Sequence, residues 1–247
     1  MKVVIDKKYL DKKEWVLSIP HIFNKEGDIV YKSRNTLKRI PYDKDNFIVK
    51  RYAVPYLFNR IAYTFLRKSK ARRSYENAGK LLKEGISTPY PVAYIEKKRT
   101  GLLYRAYFIS VADNSPYMMR RYVDSVNGGE NILVQFAKFT KMIHDKEILH
   151  LDYSPGNILL STLDNVNTQF SIVDLNRMRF GKPITKRERL MNFRRLTRSE
   201  EVMRIIIAEY ASLCGWDIDS AIKEALTYSR NFWKKTDKKI AIKNKFR

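Results

Sequence analysis

The sequence predicts an α+β chain in two lobes, a small β-rich lobe followed by a helical one, on three observations. Short β-prone runs dominate the first half; apolar stripes at helical spacing dominate the second; and the character changes across Asp113-Asn114-Ser115-Pro116, with no internal repeat and no low-complexity linker. Residues 1–112 are predicted as the N-lobe and residues 113–247 as the C-lobe, joined near Ser110 to Tyr117.

Taken in order, Val16 to Phe23 and Asp28 to Tyr31 read as strands around a turn at Lys25-Glu26-Gly27-Asp28. After a turn at Pro41-Tyr42-Asp43 comes a β-rich run, Asn46 to Tyr52. A helical pattern follows in two pieces. Tyr56, Leu57, Ile61 and Phe65-Leu66 share one face, and Ala71, Tyr75, Ala78 and Leu81-Leu82 share another. Gly85 ends the second piece, and Pro89 and Pro91 prevent its renewal. Leu102 to Val111 returns to strand composition. In the second half, Asn131 to Asp145 is a helix with Ile132, Leu133, Phe136, Phe139-Thr140 and Ile143 as its buried stripe. Ile158-Leu159-Leu160 and Phe170-Ser171-Ile172-Val173 form a small hairpin, and everything from Lys186 onward reads as helical.

Composition bounds the function. With 44% apolar and 13% aromatic residues the chain can bury a core, so its formal charge of +23 belongs to a folded protein. A single cysteine, Cys214, excludes a disulfide framework and a zinc site built on several thiolates. The start meets charges before a signal-length apolar stretch, and no run of about eighteen apolar residues occurs, so the chain is expected to be cytosolic and not membrane-spanning. The charge is concentrated: Lys32 to Arg73 holds thirteen Lys and Arg against Asp43 and Asp45, and Lys234 to Arg247 adds a second basic run against Asp237 alone. Such fields attract phosphates, nucleic acids or an anionic leaflet without distinguishing them.

The chemistry-bearing segment is His150-Leu151-Asp152-Tyr153-Ser154-Pro155-Gly156-Asn157, an H-x-D-x-x-x-x-N spacing after a helix and before a strand, with Ile172-Val173-Asp174 closing the next strand. Taken alone, His150 and Asp152 also suit a turn cap, and Asp174 a strand end. The pattern resembles the catalytic loop and metal-binding segment of the protein-kinase-like fold. That resemblance implies Asp152 as the base facing an attacking hydroxyl, with Asn157 and Asp174 sharing Mg2+ ions that neutralise the phosphates of ATP. It further implies a strand lysine on the phosphates and a helix glutamate to orient it. Lys50, ending Phe47-Ile48-Val49-Lys50, and Glu76, on the second helical piece, stand in the required order, though each also suits an ordinary surface charge.

Departures from the protein-kinase pattern narrow the class. No G-x-G-x-x-G precedes Lys50, so Lys32, Ser33 and Arg34 are the candidates for covering the phosphates. Leu151 replaces an arginine used in phosphorylation control, Ser154 stands where many protein kinases carry lysine, Asp174-Leu175-Asn176 replaces D-F-G, and no A-P-E follows.

The closest resemblance is to the bacterial lipopolysaccharide kinases, the Kdo and heptose kinases of the inner core. It rests on Lys70 to Ala78, on Gly85-Ile86-Ser87-Thr88-Pro89-Tyr90-Pro91, on His150 to Leu160, and on Asp174-Leu175-Asn176-Arg177-Met178-Arg179-Phe180, and covers about residues 28 to 195. It implies transfer of the γ-phosphoryl group of ATP to a sugar hydroxyl of Kdo or heptose on a lipid-A-linked glycolipid. The site implied is cytoplasmic, peripheral on the inner face of the inner membrane. Arg177 and Arg179 are candidates for acceptor or nucleotide phosphates, or for pairing with acids of their own lobe. The stretch Tyr56 to Lys68 combines apolar, aromatic and basic residues as an interfacial helix does, or as a helix packed on its own core does. His21, His144 and His150 are read as structural, His150 as a brace for the loop. No nucleic-acid partner and no obligate protein partner is expected. Two alternatives stay open: an atypical serine protein kinase of the RIO type, and a non-enzymatic basic nucleic-acid-binding protein.

Overall fold

The computed structural model describes residues 1–54, 62–126, 128–164 and 167–245. They divide into two compact units: Met1–Asn114 together with Asp174–Arg177, and Ser115–Val173 together with Met178–Arg247.

The first unit is built on a six-stranded antiparallel sheet. Strands β1 (Lys2–Ile5), β2 (Asp28–Lys32), β3 (Thr36–Tyr42), β4 (Asp45–Tyr52), β5 (Pro91–Arg99) and β6 (Leu102–Val111) lie in the order β1-β5-β6-β4-β3-β2. Lys50 is paired with Leu37 of β3 and Phe108 of β6, which places it on an inner strand. Side chains alternate across β4. Phe47 and Val49 join a core with Trp15, Val16, Ile19 and Phe23, whereas Tyr52, on the face that Lys50 shares, packs with Ala71 and Tyr94.

The run predicted as a strand over Val16 to Phe23 is instead helix α1 (Lys13–Ile22). Trp15, Val16, Ile19 and Phe23 fall on one side of a 3.6-residue period and all are buried. Burial at about 1.5–3 kcal/mol for each large apolar side chain outweighs their individual strand preferences and the cost of Pro20 inside the helix. The turn into β2 therefore leaves a helix, not a strand. Gly27 sits in it with φ of 75°, and a Cβ there would lie 2.4 Å from the Arg39 carbonyl oxygen. Only glycine fits. Pro41 and Tyr42, predicted as a turn, belong to β3; the reversal is at Asp43 and Lys44, with Asp43 at φ 53°.

Helix α2 (Lys70–Lys83) is the second predicted helical piece. Ser69 caps it, accepting from the Arg72 N–H at 3.1 Å. Gly85, at φ 72°, ends it, with the Ile86 N–H returning to the Leu81 carbonyl at 2.9 Å. The first piece falls partly on residues 55–61, outside the described residues; Ala62–Leu66 is a π-helical turn.

The second unit carries strand β7 (Tyr117–Met118), helix α3 (Glu130–Asp145), strand β8 (Leu149–His150), the hairpin β9 (Ile158–Asp164) and β10 (Asn167–Ile172), strand β11 (Met178–Arg179), and helices α4 (Lys186–Asn192), α5 (Glu200–Leu213) and α6 (Ile218–Lys245). The hairpin pairs with β7, and β11 pairs with β8. Leu133 and Phe136 of α3, Ile158, Leu160 and Phe170 of the hairpin, and Ile206 and Tyr210 of α5 share one core. Among the described residues, no helix is long and apolar enough to cross a membrane.

Candidate active site

In the second unit, the loop between β8 and β9 is held by its own side chains. His150 is 1% exposed; its Nδ1 accepts from the Asp152 N–H at 3.1 Å, and its Nε2 lies 3.2 Å from the Val173 carbonyl. A carbonyl can only accept, so Nε2 carries the proton and the ring is neutral. His150 braces the loop. Asn157 Nδ2 donates to the Asp152 carbonyl at 2.9 Å. With its nitrogen committed, the amide keeps Oδ1 as an oxygen ligand for a hard cation. Ser154 is half-buried, and its carbonyl accepts from the Asn157 N–H at 2.9 Å.

In the first unit, Lys50 Nζ donates to Asp174 Oδ1 at 2.6 Å, and Asn176 Nδ2 donates to the same oxygen at 2.6 Å. Lys50 is only 8% exposed, and its ammonium also stands 5.3 Å from the centre of the Tyr52 ring. Asp174 takes the left-handed backbone, φ 60°, a conformation that aspartate tolerates at modest cost. Asn77 of α2 fixes the same segment by donating to the Leu175 carbonyl at 2.7 Å. Among the described residues no group of three or more His, Cys, Asp and Glu gathers as a metal cage. Magnesium keeps several waters and takes few protein ligands, so it needs no such cage.

Other expected site residues have different partners. Glu76 does not orient Lys50: it accepts from Lys68 Nζ at 2.6 Å and Arg72 Nε at 2.8 Å. Burial raises its carboxyl pKa, but these two hydrogen bonds outweigh that and hold it below the ordinary value. The physical reason is proximity, since two cations of its own helix start lie within reach. Arg179 donates to Glu188 at 2.5 Å, and that bond, with those from Thr185, brings the Glu188 carboxyl down to about 2. Thr185 and Glu188 form the capping box of α4, so Arg179 braces a helix start. Arg177 is exposed and belongs to the first unit. Lys32 and Ser33 are exposed, at the end of β2 and in the turn after it; Arg34 follows them.

Sequence reasoning missed Arg195. It follows α4, and its Nη1 donates to Asp152 Oδ1 within the second unit. The only signal was the basic pair Arg194-Arg195, one of many in so cationic a chain.

Comparison with known proteins gives this geometry a family. Among curated proteins none matches the chain. Among the solved structures that share its fold, three at low identity illustrate it. A structure of WaaP in complex with acyl carrier protein is 14% identical, covers 96% of this chain and 99% of that one, and has a TM-score of 0.62. The Rio2 kinase-ADP/Mg2+-phosphoaspartate complex from Chaetomium thermophilum is 14% identical over 92% of this chain and 76% of that one, with a TM-score of 0.50. An aminoglycoside-3'-phosphotransferase of type VIII is 13% identical over 83% and 93%, with a TM-score of 0.55. The fold is thus protein-kinase-like, mixed α+β. Residues 45–216 match the family described as lipopolysaccharide kinase (Kdo/WaaP), a span that takes in Lys50, Asp152, Asn157 and Asp174 and leaves out the turn after β2. Since that match runs over more than half of its length, the chain belongs to the lipopolysaccharide kinase (Kdo/WaaP) family and is a phosphotransferase.

Proposed function

We propose that the chain transfers the γ-phosphoryl group of ATP to a sugar hydroxyl of the lipopolysaccharide inner core, on Kdo or heptose of a lipid-A-linked acceptor. The observation that carries this reading is the ion pair of Lys50 with Asp174, which joins the phosphate-binding lysine and the cation-binding carboxylate across 124 positions of sequence. Magnesium-ATP supplies the electrophilic phosphoryl group and the cationic charge that offsets its oxygens. Asp152 would accept the proton of the attacking sugar hydroxyl, Asn157 Oδ1 and Asp174 would be the oxygen ligands that hold the cation, and Lys50 would bind the α- and β-phosphates. Positioning and charge neutralisation then supply most of the acceleration.

The charge of +23 supports an acceptor carrying phosphates and carboxylates in an anionic leaflet, hence a cytoplasmic enzyme working at the inner face of the inner membrane. The expectation of no obligate protein partner gains no support, because the similar WaaP structure is a complex with acyl carrier protein; a protein partner belongs among the candidates here. The test is incubation of purified protein with magnesium-ATP and core glycolipids of defined length, followed by mass measurement. Addition of one phosphate to a Kdo- or heptose-containing acceptor is expected. Phosphate on protein alone would favour a protein kinase and remove the glycolipid reading.

A further inference from the structure

Within the second unit, the turn after β7 lies on the loop that carries Asp152. Tyr117 and Met118 of β7 pair with Leu160 and Leu159 of β9, the strand that leaves the loop at Ile158. Met119–Tyr122 then forms a short 3-10 helix packed against Pro155–Asn157. Met119 and Tyr153 of the loop are both buried in one apolar core, which fixes the two segments against each other. Arg120 is the next residue, and it is exposed.

The guanidinium of Arg120 nevertheless has a definite seat. Gly156 has no left-handed backbone to call for glycine. What it lacks is a Cβ, and one built there would stand 2.6 Å from Arg120 Nη2. The guanidinium therefore rests on the loop backbone one residue before Asn157, whose side chain reaches the Asp152 carbonyl. No hydrogen bond or ion pair engages Arg120 among the described residues. Arg195, by contrast, commits Nη1 to Asp152. The loop from His150 to Asn157 holds no lysine or arginine, and His150 is neutral. An anionic acceptor brought to Asp152 meets a carboxylate of like charge, a cost that a further cation at the loop offsets. Arg120 is such a cation, seated against the loop and open to solvent.

We propose that Arg120 binds an anionic group of the acceptor, a phosphate or a sugar carboxylate, next to the hydroxyl that faces Asp152. The assignment rests on the reading of Asp152 as the base of a sugar kinase. On that reading ATP is held by Lys50 and its cation by Asn157 and Asp174, which leaves Arg120 for the acceptor. A guanidinium presents paired N–H donors that match two oxygens of either group, and glycine at position 156 lets it lie close against the loop. The acceptor so selected is a sugar that already carries negative charge; a neutral sugar has nothing to place there.

The test pairs binding with turnover in the full chain. The proteins are wild type, Arg120→Gln, Arg120→Lys and, as a control, Arg121→Gln, whose guanidinium is exposed and lies over the Tyr117 ring. Each is titrated calorimetrically, without ATP, with a deacylated Kdo-containing core glycan carrying phosphates. The same glycan is also used with its phosphates removed, with its carboxylates methyl-esterified, and with both changes. Arg120→Gln is expected to weaken binding of the charged glycan at least about tenfold, Arg120→Lys less, and Arg121→Gln by under about twofold. With both groups neutralised, wild type and Arg120→Gln should bind alike, and the single change that abolishes their difference identifies the group as phosphate or carboxylate. In the transfer assay, KM for the glycan should rise in Arg120→Gln while kcat and KM for ATP stay within a few-fold. Equal binding of the charged glycan by wild type and Arg120→Gln, or binding by neither, would overturn the site. So would an equal loss in Arg121→Gln, a loss that persists with both groups neutralised, or a rise confined to KM for ATP. A wild-type protein that binds the charged glycan through Arg120 but transfers no phosphate to it would remove the glycolipid-kinase reading and leave the anion site standing.

Discussion

Lys50 and Asp174, 124 positions apart, share a 2.6 Å ion pair at which an inner strand of the first unit meets a left-handed turn of the chain. A part-buried pair of this kind loses much of its attraction to desolvation and contributes little net stability. On the proposed function its use is positional: it would hold an ammonium for the phosphates and a carboxylate for the cation. Lys50→Ala is expected to leave a folded protein in which phosphoryl transfer falls by about 10²–10³-fold, as when one preorganised charge donor is removed. Steady-state kinetics at saturating ATP checks this; a variant within a few-fold of wild type would contradict the role.

Arg195 donates to Asp152 from outside the loop between β8 and β9. If Asp152 is the base, as proposed, Arg195 positions it, so Arg195→Ala should lower kcat by about tenfold or more while KM for ATP changes little, and Arg195→Lys should restore part of kcat. A rise in KM with kcat intact would place Arg195 in substrate binding instead.

Glu76 is committed to Lys68 and Arg72, with part of each side chain exposed. Such pairs contribute roughly 0–1 kcal/mol. Glu76→Gln should therefore cost little stability and reduce transfer far less than Lys50→Ala. An equal loss in the two variants would mean that Glu76 reaches Lys50 during turnover.

The legibility of these residues in the sequence follows their separation along the chain. The H-x-D-x-x-x-x-N loop was readable because its bonds are local: His150 to the Asp152 N–H, and Asn157 to the Asp152 carbonyl. Arg195, 43 positions from Asp152, was not, because such a separation leaves no periodic trace; Lys50, 124 positions from Asp174, was named only through the resemblance. Helix α2 was marked by Ala71, Ala78 and Leu81 and by Gly85. Helix α1 was hidden because Trp15, Val16 and Ile19 each favour strands and Pro20 argues against a helix; only their joint burial reveals the period. Asn176 stands where D-F-G has glycine, yet the left-handed backbone falls at Asp174, and Asn176 donates to that carboxylate.

His144 is buried on α3, with Tyr210, Asn192, Arg189 and Asp145 around it. Burial pushes its pKa from 6.5 down to about 4. In the native state it stays neutral, while the unfolded chain takes up a proton below about pH 6.5, so stability is lost as pH falls from there toward 4, by roughly 3 kcal/mol in all. Urea unfolding of wild type and His144→Gln across that window checks the sign: the wild-type curve should fall more steeply. Parallel curves would contradict it.

Gly27, at φ 75° with the Arg39 carbonyl against it, admits no side chain. Gly27→Ala is expected to destabilise the chain by about 1–3 kcal/mol, read as a lower Tm, with ATP affinity of the folded protein unchanged. A loss of nucleotide affinity without a fall in Tm would place this glycine in the phosphate cover.

The most direct measurement is the fate of the terminal phosphate of ATP. Purified wild type, Asp152→Ala and Asp174→Ala are each given γ-labelled ATP, magnesium and a Kdo- or heptose-containing core glycolipid. Label should enter the glycolipid with the wild type and almost none with either variant, all three being folded. Label in the glycolipid at wild-type rate with Asp174→Ala, or none with the wild type, would contradict the account.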